Sequence, residues 1–190
     1  MPCQANDDNA AMADPDSWLL LIYRIPSEPS RLRAGVWRKL KALGAIYLQN
    51  SAAALPAGPV AERALRTLRR EIQEMGGTAH LLDASAVVGA TDLTSAYNAA
   101  RDEEYEEIED RCRDFHAEIE KETTEEHFTY AELEENDEDL GKLRGWLEKV
   151  EARDVLGARG QKSARESIMS CETALAGFAE RVYAVEDADH

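Results

Sequence analysis

The chain has 190 residues, 22 Lys and Arg against 38 Asp and Glu, a net charge of −16, and 44% apolar but only 6% aromatic residues. That apolar share is enough for a folded core in one domain or two small ones, and the longest apolar run, Trp18 to Tyr23, is far too short to cross a bilayer. A chain this acidic excludes a uniform basic coat for wrapping nucleic acid.

In chain order, residues 1–16 carry four acids and no base, and they lack both the basic segment and the apolar run of a signal peptide. They are expected to be disordered. Residues 17–77 reverse the sign, with ten bases against four acids. The apolar run Trp18 to Ile25, ended by Pro26 and Pro29, reads as a strand buried on both faces at the centre of a sheet. Ser30 is then placed to cap a helix whose apolar positions Leu32, Val36, Leu40 and Leu43 share one face, with Gly44 as its stop.

Ala45 to Pro56 is a second extended stretch that bends near Asn50 into two strands or one kinked strand. A second amphipathic helix follows, entered through Gly58-Pro59, built on Leu65, Leu68 and Ile72, and stopped at Gly76-Gly77. Thr78 to Asp83 reads as the last strand. The order β-α-β-β-α-β predicts an α+β, ferredoxin-like split βαβ domain over residues 17–90, with both helices on one face.

From residue 93 to 187 the period is helical and the charge strongly acidic, with nineteen acids against five bases in residues 101–142. Tyr105, Ile108, Cys112, Phe115 and Ile119 are spaced 3 and 4 apart, a narrow seam on a long helix. Thr129 to Glu132 is a capping box for a second helix with the seam Leu133, Leu140, Leu143, Leu147 and Val150, broken by polar Asn136. Ser163 to Glu166 reads as another capping box, before a third seam of Ile168, Cys171, Leu175, Phe178, Val182 and Val185. Three such helices predict an antiparallel three-helix bundle.

Candidate chemistry is sparse. Glu109, Cys112, His116 and Glu120 lie on roughly one helix face at spacings that suit metal ligands, although Cys112 also sits in the seam, where a free cysteine behaves as a small hydrophobe. His80 and His127 have no partner at a recognisable spacing. There is no GxSxG, no GxxxxGK[ST], and no GxGxxG after a strand, so no enzyme is expected and no resident cofactor. Three cysteines, Cys3, Cys112 and Cys171, odd in number and without a CxxC pair, fit a reducing cytoplasm. The concentration of positive charge is the clearest functional signal. Arg31, Arg33, Arg38, Lys39 and Lys41 on the first helix, after Arg24, with Arg63, Arg66, Arg69 and Arg70 on the second, are candidates for contacting phosphates or a small oxyanion. No helix-turn-helix accompanies them.

Several blocks carry a resemblance. Trp18 to Ser30, Arg31 to Gly44 and Ile46 to Ser51 are similar to the N-terminal domain family of the chromate-resistance regulator ChrB, and so are Asp102 to Ile108, Glu118 to Thr123, Phe128 to Asn136, Lys142 to Leu147 and Arg153-Asp154. The resemblance covers about residues 17 to 185. It implies a cytoplasmic protein linked to chromate-responsive transcriptional control. Together with the basic face, this leads to the expectation that the first unit engages DNA or an oxyanion such as chromate, with the acidic bundle as a homodimerisation or sensing element. Full-length relatives of that kind carry a further chromate-resistance domain, so a stand-alone form is expected here. The first unit also resembles the ferredoxin-like domain of PaaX-type repressors and of the CRISPR-adaptation nuclease subunit. The latter needs an aspartate at the end of its first strand, where this chain has Tyr23-Arg24-Ile25-Pro26. The competing expectation is a non-catalytic protein-protein interaction module acting through the acidic bundle.

Overall fold

The computed structural model of the chain describes residues 17–188; the expected disorder of residues 1–16 lies outside that range. Two compact units divide between Thr94 and Ser95.

The first unit is β1 (Trp18–Arg24), α1 (Ser30–Ala42), β2 (Ile46–Gln49), β3 (Ala52–Pro56), α2 (Pro59–Glu74) and β4 (Thr78–Ala84). The sheet order is β2-β3-β1-β4, and every neighbouring pair is antiparallel. Each βαβ half therefore brackets a strand of the other half, which is the ferredoxin-like split βαβ arrangement. In register, Leu21 lies between Ala53 and Leu81, and Leu19 between Leu55 and Asp83. α2 packs on β1 and β4, and α1 lies beside α2.

That one-sided cover corrects the expectation for β1. Trp18, Leu19 and Leu21 are buried, but Ile22 is 41% exposed and Leu82, on the same face, is 44% exposed. β1 is central without being buried on both faces. The cap of α1 also differs from expectation. Pro29 is the N-cap and makes no side-chain cap bond, while Ser30 is the first helical residue. At the far end of the unit, a Cβ on Gly77 would stand 2.5 Å from the Arg24 carbonyl oxygen. Only glycine lets the start of β4 pass that close to the end of β1.

The second unit holds α3 (Ala90–Thr124, which begins before the division), α4 (Tyr130–Glu151) and α5 (Gln161–Ala188). The seam residues of α3 from Tyr105 to Ile119 are all buried, against Leu140, Leu147 and Val150 of α4 and Ile168, Cys171, Leu175, Phe178 and Val182 of α5. Val185, placed in the third seam by its spacing, is instead 43% exposed. Phe128 packs on Phe178 and Tyr130 on Tyr183, so the start of α4 meets the end of α5 and the pair is antiparallel. Asn136 is buried because its amide Nδ2 donates to the Glu132 carbonyl of its own helix at 2.8 Å. Thr129 caps α4, its hydroxyl accepting from the Glu132 N–H at 3.2 Å. Ser163 does not cap α5, which begins two residues earlier at Gln161. Among the described residues no helix is long and apolar enough to cross a membrane.

Candidate functional site

With 3.6 residues per turn, α1 directs Val36 and Leu40 into the core and turns Arg31, Arg38 and Lys41 outward. The helix contains no acidic residue, so none of its cations is paired within it. Among the described residues Arg24, Arg31, Arg33 and Arg38 make no ion pair and no side-chain hydrogen bond, and Lys41 only stands over the Trp37 ring, 5.5 Å from its centroid. Arg24 and Arg33 meet across the β1–α1 turn, where they line an open groove of about 530 Å³ with Ile25, Pro26, Ser27 and Glu28.

Lys39 has a different position. It reaches α2, where its Nζ lies 2.6 Å from a Glu71 carboxylate oxygen, and so it joins the two helices. The bases of α2 are largely committed within the fold: Arg66 pairs with Glu62 at 2.7 Å, Arg70 with Glu74 at 3.8 Å, and Arg69 Nε donates to the Ala79 carbonyl at 3.1 Å. Of the nine bases on the two helices, Lys39 of α1 and Arg66, Arg69 and Arg70 of α2 are engaged, while Arg31, Arg33, Arg38 and Lys41 of α1 and Arg63 of α2 make no ion pair among the described residues. The i,i+4 pairs Arg66–Glu62 and Arg70–Glu74 follow from spacing, whereas the engagement of Lys39 with Glu71 and of Arg69 with the Ala79 carbonyl does not, because those partners come from other elements.

One residue escaped the sequence reading although its spacing was legible. Trp37 is 49% exposed and stands four residues from both Arg33 and Lys41, which places the three in one row on the helix surface.

The proposed ligand set on α3 is not gathered into a site. Cys112 is buried in the core, with the Cys171 thiol 3.7 Å from its backbone carbonyl; Glu109 and His116 are half-buried and Glu120 is exposed. Burial pushes both thiols up, that of Cys171 to about 12. Among the described residues, the carboxylate and imidazole groups that do converge are Glu122, Glu125 and His127, with His127 Nδ1 2.9 Å and 3.4 Å from the two carboxylates. Lys121 already holds the other Glu122 oxygen at 3.0 Å, so a cation there would compete with an ammonium group. Hydrogen bonds from Lys121, and then His127, hold the Glu122 carboxyl below its usual range against the opposing effect of burial.

A second feature beyond the sequence reading is a buried polar cluster where the α4–α5 loop meets α3. Arg153 binds Glu104 through two nitrogens at 2.9 and 3.0 Å, and Arg101 Nε lies 2.9 Å from the same carboxylate. Tyr97 donates to the Arg153 carbonyl. Tyr105 donates to Asp154 at 3.0 Å, and Asp154 in turn accepts the Gly157 and Ala158 N–H groups at 3.0 Å. Gly160 N–H donates to Asp102 at 2.8 Å. The cluster ties a nine-residue connection to the long helix and brings the Asp102 block against Arg153-Asp154.

Between α3 and α4 lies an open groove of about 740 Å³, floored by Phe115, Leu143 and Trp146 and edged mainly by carboxylates, among them Glu118, Glu135 and Asp139.

A family model described as "Protein ChrB, N-terminal" matches residues 33–189. The chain is also similar to Protein ChrB of Cupriavidus metallidurans (strain ATCC 43123 / DSM 2839 / NBRC 102507 / CH34), with 35% identity over 79 residues. That alignment covers 41% of this chain and 24% of the relative, so the chain spans about a quarter of the curated protein it matches.

Proposed function

The chain belongs to the family of ChrB N-terminal domains, and from that premise we propose that it is a non-catalytic, cytoplasmic module of chromate-responsive transcriptional control that contacts DNA through the outer face of α1. The observation that carries this reading is the division of its positive charge. Among the described residues Arg31, Arg38 and Lys41 face outward without an ion pair, while Arg66, Arg69 and Arg70 of α2 are engaged by Glu62, the Ala79 carbonyl and Glu74. Uncommitted guanidinium groups on one face are what phosphate contact requires, because each contact gains by releasing a counterion from the nucleic acid. The groove at the start of α1, which Arg24 and Arg33 line together with Glu28, supports a small tetrahedral oxyanion as effector through its two guanidiniums. The bundle serves as the pairing element of a homodimer; exposed Tyr130 and Tyr183, half in solvent and 5.9 Å apart, support that role.

The test is a salt titration of binding to DNA from the chain's own upstream region, read by fluorescence anisotropy. Arg31→Glu with Arg38→Glu should abolish binding at moderate salt and reduce the slope of log K against log salt by about two. Arg66→Ala with Arg70→Ala should leave both nearly unchanged. Equal behaviour of the two double variants overturns the reading. Calorimetry with chromate and sulfate tests the groove, and absence of heat in wild type removes the oxyanion. The acid-edged α3–α4 groove supports a second reading, a protein interaction with a basic partner; retained partner binding by the α1 variant, with loss in Glu118→Lys/Asp139→Lys, would favour it.

A further inference from the structure

Trp37 has no part in the core of its unit: Val36 and Leu40, its neighbours on α1, are almost fully buried, whereas about half of the indole is in solvent. A lone exposed aromatic is ordinary on a protein surface. Its surroundings here are not. Arg33 lies one turn before it and Lys41 one turn after, Arg38 is adjacent, and none of these three cations has an ion pair among the described residues. Lys41 holds its ammonium 5.5 Å from the ring centroid, an arrangement in which the cation and the ring quadrupole attract each other. Arg33 also borders the Arg24 groove, so positive charge continues from the β1–α1 turn along the helix to the ring.

An aromatic plane between cations that track a backbone is the pairing by which proteins hold unpaired nucleotides: the cations take phosphates, and the ring takes the face of a base. A regular duplex offers no such face, since its bases are stacked on one another, and an indole on a convex helix would meet only sugar and phosphate. We infer that Trp37 is a stacking platform for an unpaired base, so that the nucleic acid recognised by α1 is a single strand, or a duplex with a bulged or melted step. The inference rests on the nucleic-acid reading above and names the substrate class of that same surface.

The experiment uses the full chain and three labelled probes of one mixed sequence: the single strand, its duplex, and the duplex with an unpaired bulge. Wild type should bind the single strand and the bulged duplex more tightly than the regular duplex. Trp37→Ala should lose about tenfold on those two probes and leave the regular duplex unchanged; Trp37→Phe should retain most of the affinity. Unchanged helix content by circular dichroism shows that this exposed substitution leaves the fold intact. No loss in Trp37→Ala, or an equal loss on all three probes, overturns the stacking role. If Arg31→Glu/Arg38→Glu abolishes binding while Trp37→Ala changes nothing, the DNA reading stands and the stacking platform falls. If wild type binds no probe, both fall.

Discussion

Placing a single methyl group at Gly160 should destabilise the helical unit, whereas the same change at Gly177 should stabilise it. Gly160 sits in the loop just before α5, and a Cβ there would lie 2.9 Å from Tyr105 Cβ, 3.3 Å from Tyr105 Cδ2 and 3.4 Å from an Asp102 carboxylate oxygen. Tyr105 cannot swing aside cheaply, because it is fully buried and its hydroxyl is held by Asp154 at 3.0 Å. Moving the Gly160 backbone instead would stretch its 2.8 Å bond to Asp102. Overpacking of this kind costs about 1–3 kcal/mol, and the reduced freedom of the unfolded chain returns about 0.4–1 kcal/mol. Taking the middle of each range, the net expectation is a loss of about 1.3 kcal/mol. Gly177 lies inside α5 with nothing within 4 Å of its would-be Cβ, so alanine there should gain about 0.5–1 kcal/mol from helix propensity. Urea unfolding followed by the helical circular dichroism signal would measure both, with the slope m required to stay constant. A Gly160→Ala protein as stable as wild type, alongside a stabilised Gly177→Ala, would refute the close packing of the loop on Tyr105.

Removing the shared carboxylate by Glu104→Ala should cost about 3 kcal/mol, because Arg101 is 4% and Arg153 16% exposed in their side chains; a loss under about 1 kcal/mol in a thermal melt, the scale of a surface pair, would show the cluster to be solvated. In a Cys3→Ser background, Cys112 and Cys171 should stay unlabelled by a thiol reagent in mildly alkaline buffer until denaturant is added, since burial first and foremost raises both thiols, Cys171 to about 12; rapid labelling of the native protein would contradict their buried position. Glu122 has its carboxyl lowered by Lys121 and then His127, so its contribution is fully present above the ordinary value of 4.5 and is lost as pH falls through the lower, folded value. Glu122→Gln should therefore flatten the acid limb of stability against pH, and parallel limbs for variant and wild type would be the contrary result.

Much of the fold was legible because it depends on short-range periodicity. The 3–4 spacing from Tyr105 to Ile119 is a property of one helix, and it identified five buried residues without reference to any partner. The strand and helix order of the first unit, punctuated by Pro26, Pro29 and the glycine pair 76–77, likewise implied the split βαβ sheet that the register pairs realise. The misreadings have local causes. β1 looked buried on both faces because apolar run and central position suggest cover, yet cover depends on where the helices pack. Ser163 looked like a cap because a capping box is a four-residue pattern that also occurs just inside a helix. His127 had no helical partner because it reaches Glu122 back across a turn in which Glu126 has a φ of 57°, a relation without a periodic spacing.

The net charge of −16 and its unequal distribution belong to the sequence alone, as do the cationic character of α1 and the acidic character of the bundle. Which of those charges remain available was decided by tertiary structure. Lys39 is drawn to Glu71, 32 residues away, Arg69 to the Ala79 carbonyl, and Arg153 to Glu104, 49 residues back along the chain. The physical reason is range: periodicity assigns a side chain to a face through bonds a few residues long, whereas an ion pair is made with whatever the fold brings within about 4 Å. Arg31, Arg33 and Arg38 make no ion pair among the described residues, because α1 has no acidic residue of its own and its one long-range carboxylate, Glu71, is taken by Lys39.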